Sequence, residues 1–153
     1  MIDSNLLAVI AILGIVTGLR SMLGLALLSW IAPPAPWIAS IWARIILALA
    51  AVGELVADKL PKTPSRLAPG PLTGRVVIGA VIGGLLTNQV HAAVWLGAIV
   101  GAVGALAGSF GGNKIRGALG RKTGAKDLWF ALGEDVLAIA LAAFALLGPL
   151  SRP

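Results

Sequence analysis

The run LLAVIAILGIVTGLRSMLGLALLSW, from Leu6 to Trp30, decides the fold. About 25 residues of nearly unbroken apolar sequence make ~37 Å of helix at ~1.5 Å per residue, against a hydrocarbon core ~30 Å thick, so one tilted span fits. Its one charge is Arg20, around mid-span. At about 100° per residue, Gly14, Thr17, Arg20, Ser21 and Gly24 fall within an arc of about 120°, a small and polar stripe that predicts an inward face. A guanidinium left to lipid is costly, and Arg20 can snorkel only a limited distance from mid-span. A pairing partner or an anionic ligand is therefore expected.

The composition points to the same solvent. Of 153 residues, 58% are hydrophobic and 12% charged, and the mean hydropathy is +0.97, which excludes an ordinary soluble domain. The 20 glycines and few aromatics make the apolar matter small and smooth, as in helices that pack backbone against backbone in a bilayer. The lack of cysteine excludes disulfides and thiolate metal sites. The net charge of +6 is a topology signal, because Lys and Arg collect on the cytoplasmic side, and not a sign of nucleic-acid binding. The leading MIDSN carries an Asp and no basic n-region, so the first run is expected to stay as a span and not to act as a signal peptide.

Beyond the first run, the APPAP of 32–36 cannot continue a helix. Trp37 to Ala57 is the second span, and Trp30 and Trp37 flank the turn as rings do at a membrane interface. A basic, proline-rich connection, 58–75, follows. Val76 to Val90 and Ala92 to Phe110 are two further apolar segments, interrupted by Thr87, Asn88, Gln89 and His91. They form either two spans or a re-entrant hairpin whose polar tip is buried at membrane depth. A second basic loop, 113–127, holds Lys114, Arg116, Arg121, Lys122 and Lys126, and Leu128 to Leu147 is the last span, stopped by Gly148 and Pro149. The expected fold is all-α: a single-domain, polytopic transmembrane helix bundle of five spans, at about 6–30, 37–57, 76–90, 92–110 and 128–147. Both basic loops, and with them the N-terminus, are expected in the cytoplasm.

Ionisable residues within the spans supply the candidate site. On the second span Arg44, Glu54 and Asp58 share an arc of about 80°, and on the last Glu134 shares a face with Ala131, Ala138 and Ala145. Depth predicts Glu54, Asp58, Glu134 and Asp135 at one inner level, with Arg44 roughly 15 Å further out and Arg20 at that outer level too. Arg20, Arg44, Glu54, Glu134 and Asp135 are the expected ligand or ion pathway. Asp58, Lys59, Arg66 and Arg75 are expected to be helix-end or loop charges. His91 is expected at a surface or loop tip.

No catalytic residue, metal-ligand set or cofactor is assigned. There is no HExxH, no GxSxG and no histidine paired with a nucleophile, and GSFGGNK lacks the preceding strand and the Lys-Ser or Lys-Thr of a phosphate loop. The four-residue repeats Gly79 and Gly83, Gly97 and Gly101, and Gly104, Gly108 and Gly112 predict close helix approach. RSMLG from Arg20 echoes RGALG from Arg116, and GELV from Gly53 echoes GEDV from Gly133; three intervening spans would make these an inverted repeat.

At GLRS (Gly18 to Ser21), ELVADKLPKTPSR (Glu54 to Arg66), Gly74 with Arg75, and the late Glu134 and Asp135, the chain resembles the bacterial membrane-protein family catalogued as domain of unknown function 4126. The resemblance implies a small multi-span protein and transfers no activity. The functional expectation, drawn from the residues, is a small transporter or channel of a bacterial cytoplasmic (inner) membrane, oligomeric and not an enzyme. In it Arg20 and Arg44 bind or repel an ion, and Glu54 with Glu134 supplies charge compensation or proton coupling. The alternative is a structural or lipid-binding membrane protein whose intramembrane charges are static salt bridges. The expected partners are membrane lipids, further copies of the chain and an unidentified ion or small solute.

Overall fold

The structure is a computed structural model and describes residues 3–57, 67–123 and 127–148, with backbone alone at 119–123 and 127–130. Among the described residues it is all helix: α1 (Ser4–Leu19), α2 (Leu23–Ile31), α3 (Pro36–Ala39), α4 (Ile41–Ala57), α5 (Pro69–Gln89), α6 (Val94–Thr123) and α7 (Asp127–Leu147). Of these, Pro69–Gln89 and the Val94–Ala118 part of α6 are long and apolar enough to cross a membrane. Large apolar side chains also cover the outside, among them Trp42, Leu49 and Val56 on α4, Val103 and Phe110 on α6, and Val136 and Phe144 on α7.

The centre of the bundle is α1. It is apolar all round, as a helix buried on every side must be, and Val9, Ile10, Leu13, Val16 and Leu19 join Leu23, Leu28, Ile82, Leu86, Ala138, Ala142 and Leu146 in one core. Close contacts fix its neighbours' directions. A Cβ added at Gly14 would sit 3.0 Å from the Gly104 Cα, and one at Gly18 would sit 2.8 Å from the Gly108 Cα, so α1 and α6 are parallel. Gly79 faces Gly101 and Gly83 faces Gly97, so α5 runs antiparallel to both.

The first run is not one span. The helix stops at Leu19, and the chain reverses through Arg20, Ser21 and Met22 before α2 begins. Had the helix continued, Gly24 would lie about 16 Å beyond Leu13 along the axis. Instead a Cβ at Gly24 would be 3.4 Å from the Leu13 carbonyl oxygen and 2.9 Å from the Thr17 hydroxyl. The two halves of 6–30 thus form a helical hairpin, and a hydropathy run has no means of signalling this because it carries no direction. The doubling back expected as one option for 76–110 occurs here, at the other end of the chain.

The reversal inverts the relation of ends and loops. At one end of the bundle lie Ser4, Ile31 and Gln89, where the Gln89 side chain donates to the Pro33 carbonyl at 3.4 Å. The C-terminus of α4, the N-termini of α5 and α7 and the C-terminus of α6 lie at the other, with Arg20. The first described residues and the helix ends that flank the basic connections, expected on one side, are therefore at opposite ends.

Both basic loops are also shorter than expected. Pro69 occupies the first turn of α5, where its missing N–H is no loss, so the second half of 58–75 is largely helical. Helix α6 runs on to Thr123 and takes in most of 113–127. The two sequence echoes do not share one symmetry operator: α1 and α6, which lead into the first pair, are parallel, while α4 and α7, which carry the second, are antiparallel.

Candidate functional site

The tip of the first hairpin is a break in an apolar element, and its local sequence favours breaking. Gly18, Ser21 and Gly24 lie within seven residues, and each glycine costs a helix about 1 kcal/mol relative to alanine. The Thr17 hydroxyl donates to the Leu13 carbonyl at 2.8 Å, a bond that slightly loosens the last turn of α1. Arg20 is extended, at φ −141° and ψ 107°, and its N–H still reaches the Val16 carbonyl at 2.7 Å.

Such a break leaves carbonyls at the end of α1 and N–H groups at the start of α2 without helical partners. Each of the four later long helices sends one polar side chain to the tip. From α6, the Ser109 hydroxyl donates to the Gly18 carbonyl at 3.1 Å. From α4, Glu54 accepts at Oε1 from the Ser21 N–H (2.8 Å) and the Ser21 hydroxyl (2.5 Å), and at Oε2 from the Met22 N–H (2.9 Å). A carboxylate on the first N–H groups of α2 is favoured by charge-assisted bonding and by the helix dipole together. From α5, an Arg75 terminal nitrogen lies 3.7 Å from the same Glu54 Oε1. From α7, Asp135 Oδ1 accepts from the Arg20 Nε–H at 2.6 Å, and a terminal nitrogen of the same guanidinium lies 2.5 Å from that oxygen as an ion pair.

The setting is dry. Arg20 is fully buried, Arg75 and Asp135 are 3% and 7% exposed, and the Glu54 side chain is 14% exposed. Two cations and two carboxylates meet over one broken backbone, so the formal charges balance among these four. Chemically the arrangement holds a pair of helix ends in register with ion pairs.

The site residues read from the sequence distribute unevenly. Arg20, Glu54 and Asp135 come together. Arg44 does not: its Nε donates to the Ser29 carbonyl at 3.0 Å and its guanidinium stacks over Trp30, 5.4 Å from the ring centre, at the far end of α4. The expected common level of Arg20 and Arg44 fails because the chain reversal carries Arg20 to the level of the carboxylates. Glu134 is half-buried, and its place one residue before Asp135 turns it about 100° around α7. Arg75, expected as a loop or helix-end charge, is a buried member of the site, whereas Asp58, Lys59 and Arg66 fall outside the described residues. His91 is exposed between α5 and α6.

Two members, Arg75, expected as a helix-end or loop charge, and Ser109, expected in no role, have a spacing that signals their place. Arg75 falls four residues before Gly79 and eight before Gly83, on the stripe that meets α6; Ser109 follows Gly101 and Ala105 at the same interval. Ser21 lay on the polar stripe of the first run. No group of three Asp, Glu or His side chains able to hold a metal ion occurs among the described residues.

The family model described as domain of unknown function 4126 matches residues 5–152. Comparison with curated proteins and comparison with solved structures each give no match.

Proposed function

The chain belongs to the family of domain of unknown function 4126, and from that premise we propose a small multi-pass protein of the cytoplasmic membrane that carries an ion or small solute past the tip of its first hairpin. In this proposal α1 and α2 enter from the outer face and return to it, α4 to α7 cross, and the basic connections lie in the cytoplasm. Both ends of the chain are then external. Lipid covers the apolar outer surface, and a further copy of the chain is the other partner such a surface admits.

The observation that carries the proposal is the broken helix itself. Within a bilayer, irregular backbone is tolerated only where protein or water satisfies it, and an unbroken α1 would have needed none of the four side chains now spent on the tip. Discontinuous helices of this kind are how many transporters form their binding sites. Arg20 with Asp135 and Glu54 with Arg75 are the groups proposed to meet the solute or exchange a proton. The Ser21 hydroxyl does meet the Glu54 carboxylate, but Glu54 is also held by the Ser21 and Met22 N–H groups at a helix start, which suits a backbone brace better than a base, so we propose no enzymatic step.

A static role is the second proposal, favoured by how fully the carboxylates are engaged: Glu54 accepts three hydrogen bonds, and Asp135 accepts one from the Arg20 Nε–H and pairs with a terminal nitrogen of the same guanidinium. Flux in proteoliposomes separates the two. Transport predicts that Glu54→Gln abolishes flux of some ion or small solute while the protein stays folded; folded protein with flux unchanged in both Glu54→Gln and Arg20→Lys would leave only the static role.

A further inference from the structure

The helix that carries Glu54 is attached to the bundle unlike any other. Only one of its residues, Ala51, is buried. Trp42, Ile46, Leu49, Val52 and Val56 all point outward, and its extensive neighbours are α2 and the single turn of α3. At its first turns Arg44 holds the Ser29 carbonyl and Trp30; at its last turn Glu54 holds Ser21, Met22 and, more loosely, Arg75. Between these two polar clasps Ala51 is buried and Leu47, Ala48 and Ala50 are half-buried.

The two clasps differ. Before Ile41 the chain is already jointed: Ser40 is extended, at ψ 144°, and its hydroxyl accepts from the Ala43 N–H at 3.2 Å and donates to the Trp37 carbonyl at 3.0 Å, so the side-chain bonds between α3 and α4 run through the joint itself. The Arg44 clasp lies one turn from this joint, so it moves little when α4 swings. Glu54 lies near the opposite end of α4, where a swing about Ser40 displaces it most.

We infer that α4 is a strap that pivots at Ser40 and opens at Glu54, baring the Ser21 and Met22 N–H groups and Arg75 at the hairpin tip. The inference deepens the transport proposal by naming the moving part. Its trigger is capture of the Glu54 carboxylate by another cation; among the described residues Arg75 from α5 and, across the tip, the Arg20–Asp135 pair are the charged groups beside it.

The test reads motion and not flux, so it fails or succeeds independently of whether the protein transports. The chain has no cysteine, which leaves a single introduced thiol as the only label site. Ala51→Cys reports on the strap, and Ala138→Cys, fully buried on α7, reports on the core. In proteoliposomes with a lipid-permeant maleimide, Glu54→Gln should speed labelling at position 51 about tenfold or more, the scale of one lost charged hydrogen bond in a local opening equilibrium, and leave position 138 unchanged. Equal rates at position 51 with and without the carboxylate would overturn the inference. Parallel acceleration at both positions would overturn it too, because Glu54 would then brace the whole bundle. If Glu54→Gln does not fold, the same two rates are read in Ser21→Ala, which removes one of the three donors; no change at position 51 there counts against the strap.

Discussion

Two helical hairpins sit side by side in this protein and are built on opposite principles. In the α5–α6 hairpin the helices meet backbone to backbone, Gly79 on Gly101 and Gly83 on Gly97, and Thr87 keeps its hydroxyl on carbonyls of its own helix. Its connection is self-sufficient: the His91 N–H reaches the Asn88 carbonyl at 3.1 Å and the Ala92 N–H reaches that of Thr87 at 3.0 Å. The α1–α2 hairpin turns on a tip that borrows side chains from four other helices. One hairpin is stabilised by shape and local bonds, the other by distant charge. The difference shows that a polar turn inside an apolar bundle is a property of the whole chain, while a glycine seam belongs to two segments.

Four substitutions would break or sharpen this contrast. The largest effect is expected at the borrowed tip: Arg20→Ala leaves Asp135 buried without its guanidinium and should cost about 3–5 kcal/mol in denaturant unfolding, with much of the loss recovered in Arg20→Met combined with Asp135→Leu. An unchanged midpoint for the single variant would mean that the pair contributes nothing to the turn. Next comes the seam. Gly83→Ala puts a Cβ 2.6 Å from the Gly97 carbonyl carbon and 3.0 Å from Ile10 Cγ2, and should cost about 1–3 kcal/mol because backbones must part. Ser109→Ala removes the donor to the Gly18 carbonyl for about 1 kcal/mol, measured as a shift of the same midpoint. The smallest effect carries the opposite sign: His91 holds a left-handed φ of 51°, so His91→Gly should stabilise the α5–α6 turn by about 0.5 kcal/mol. A loss there would show that the His91 side chain is part of the connection.

The same contrast explains what the sequence disclosed. The all-helical class and the paired apolar segments after residue 75 follow from length and hydropathy alone, and the glycines of that hairpin repeat at intervals of four. For Arg20, energetics demanded a partner and Asp135 stands in that place. What stayed hidden was the direction of the chain after Leu19. A run of about 25 apolar residues satisfies the length of one tilted span, so Ser21 and the two glycines read as a packing stripe when they also mark a turn. The error then propagated: with Arg20 set at the wrong level, Arg44 seemed its companion and Arg75 a loop charge. Pro69 was the missed correction, because proline in a first turn starts a helix as readily as it fills a loop.

The partners of the tip also bear on how the protein comes off the ribosome. Arg20 and Asp135 are separated by 115 residues, so at ~5–20 residues per second the arginine waits roughly 6–23 s for its counter-ion to be translated. During that interval Glu54, Arg75 and Ser109 emerge in turn, and the first hairpin has no complete set of bonds to hold it deep among its neighbours. In the proposed membrane topology its tip then dwells in water, at the membrane surface or in the insertion machinery, until the last helix arrives to seal it.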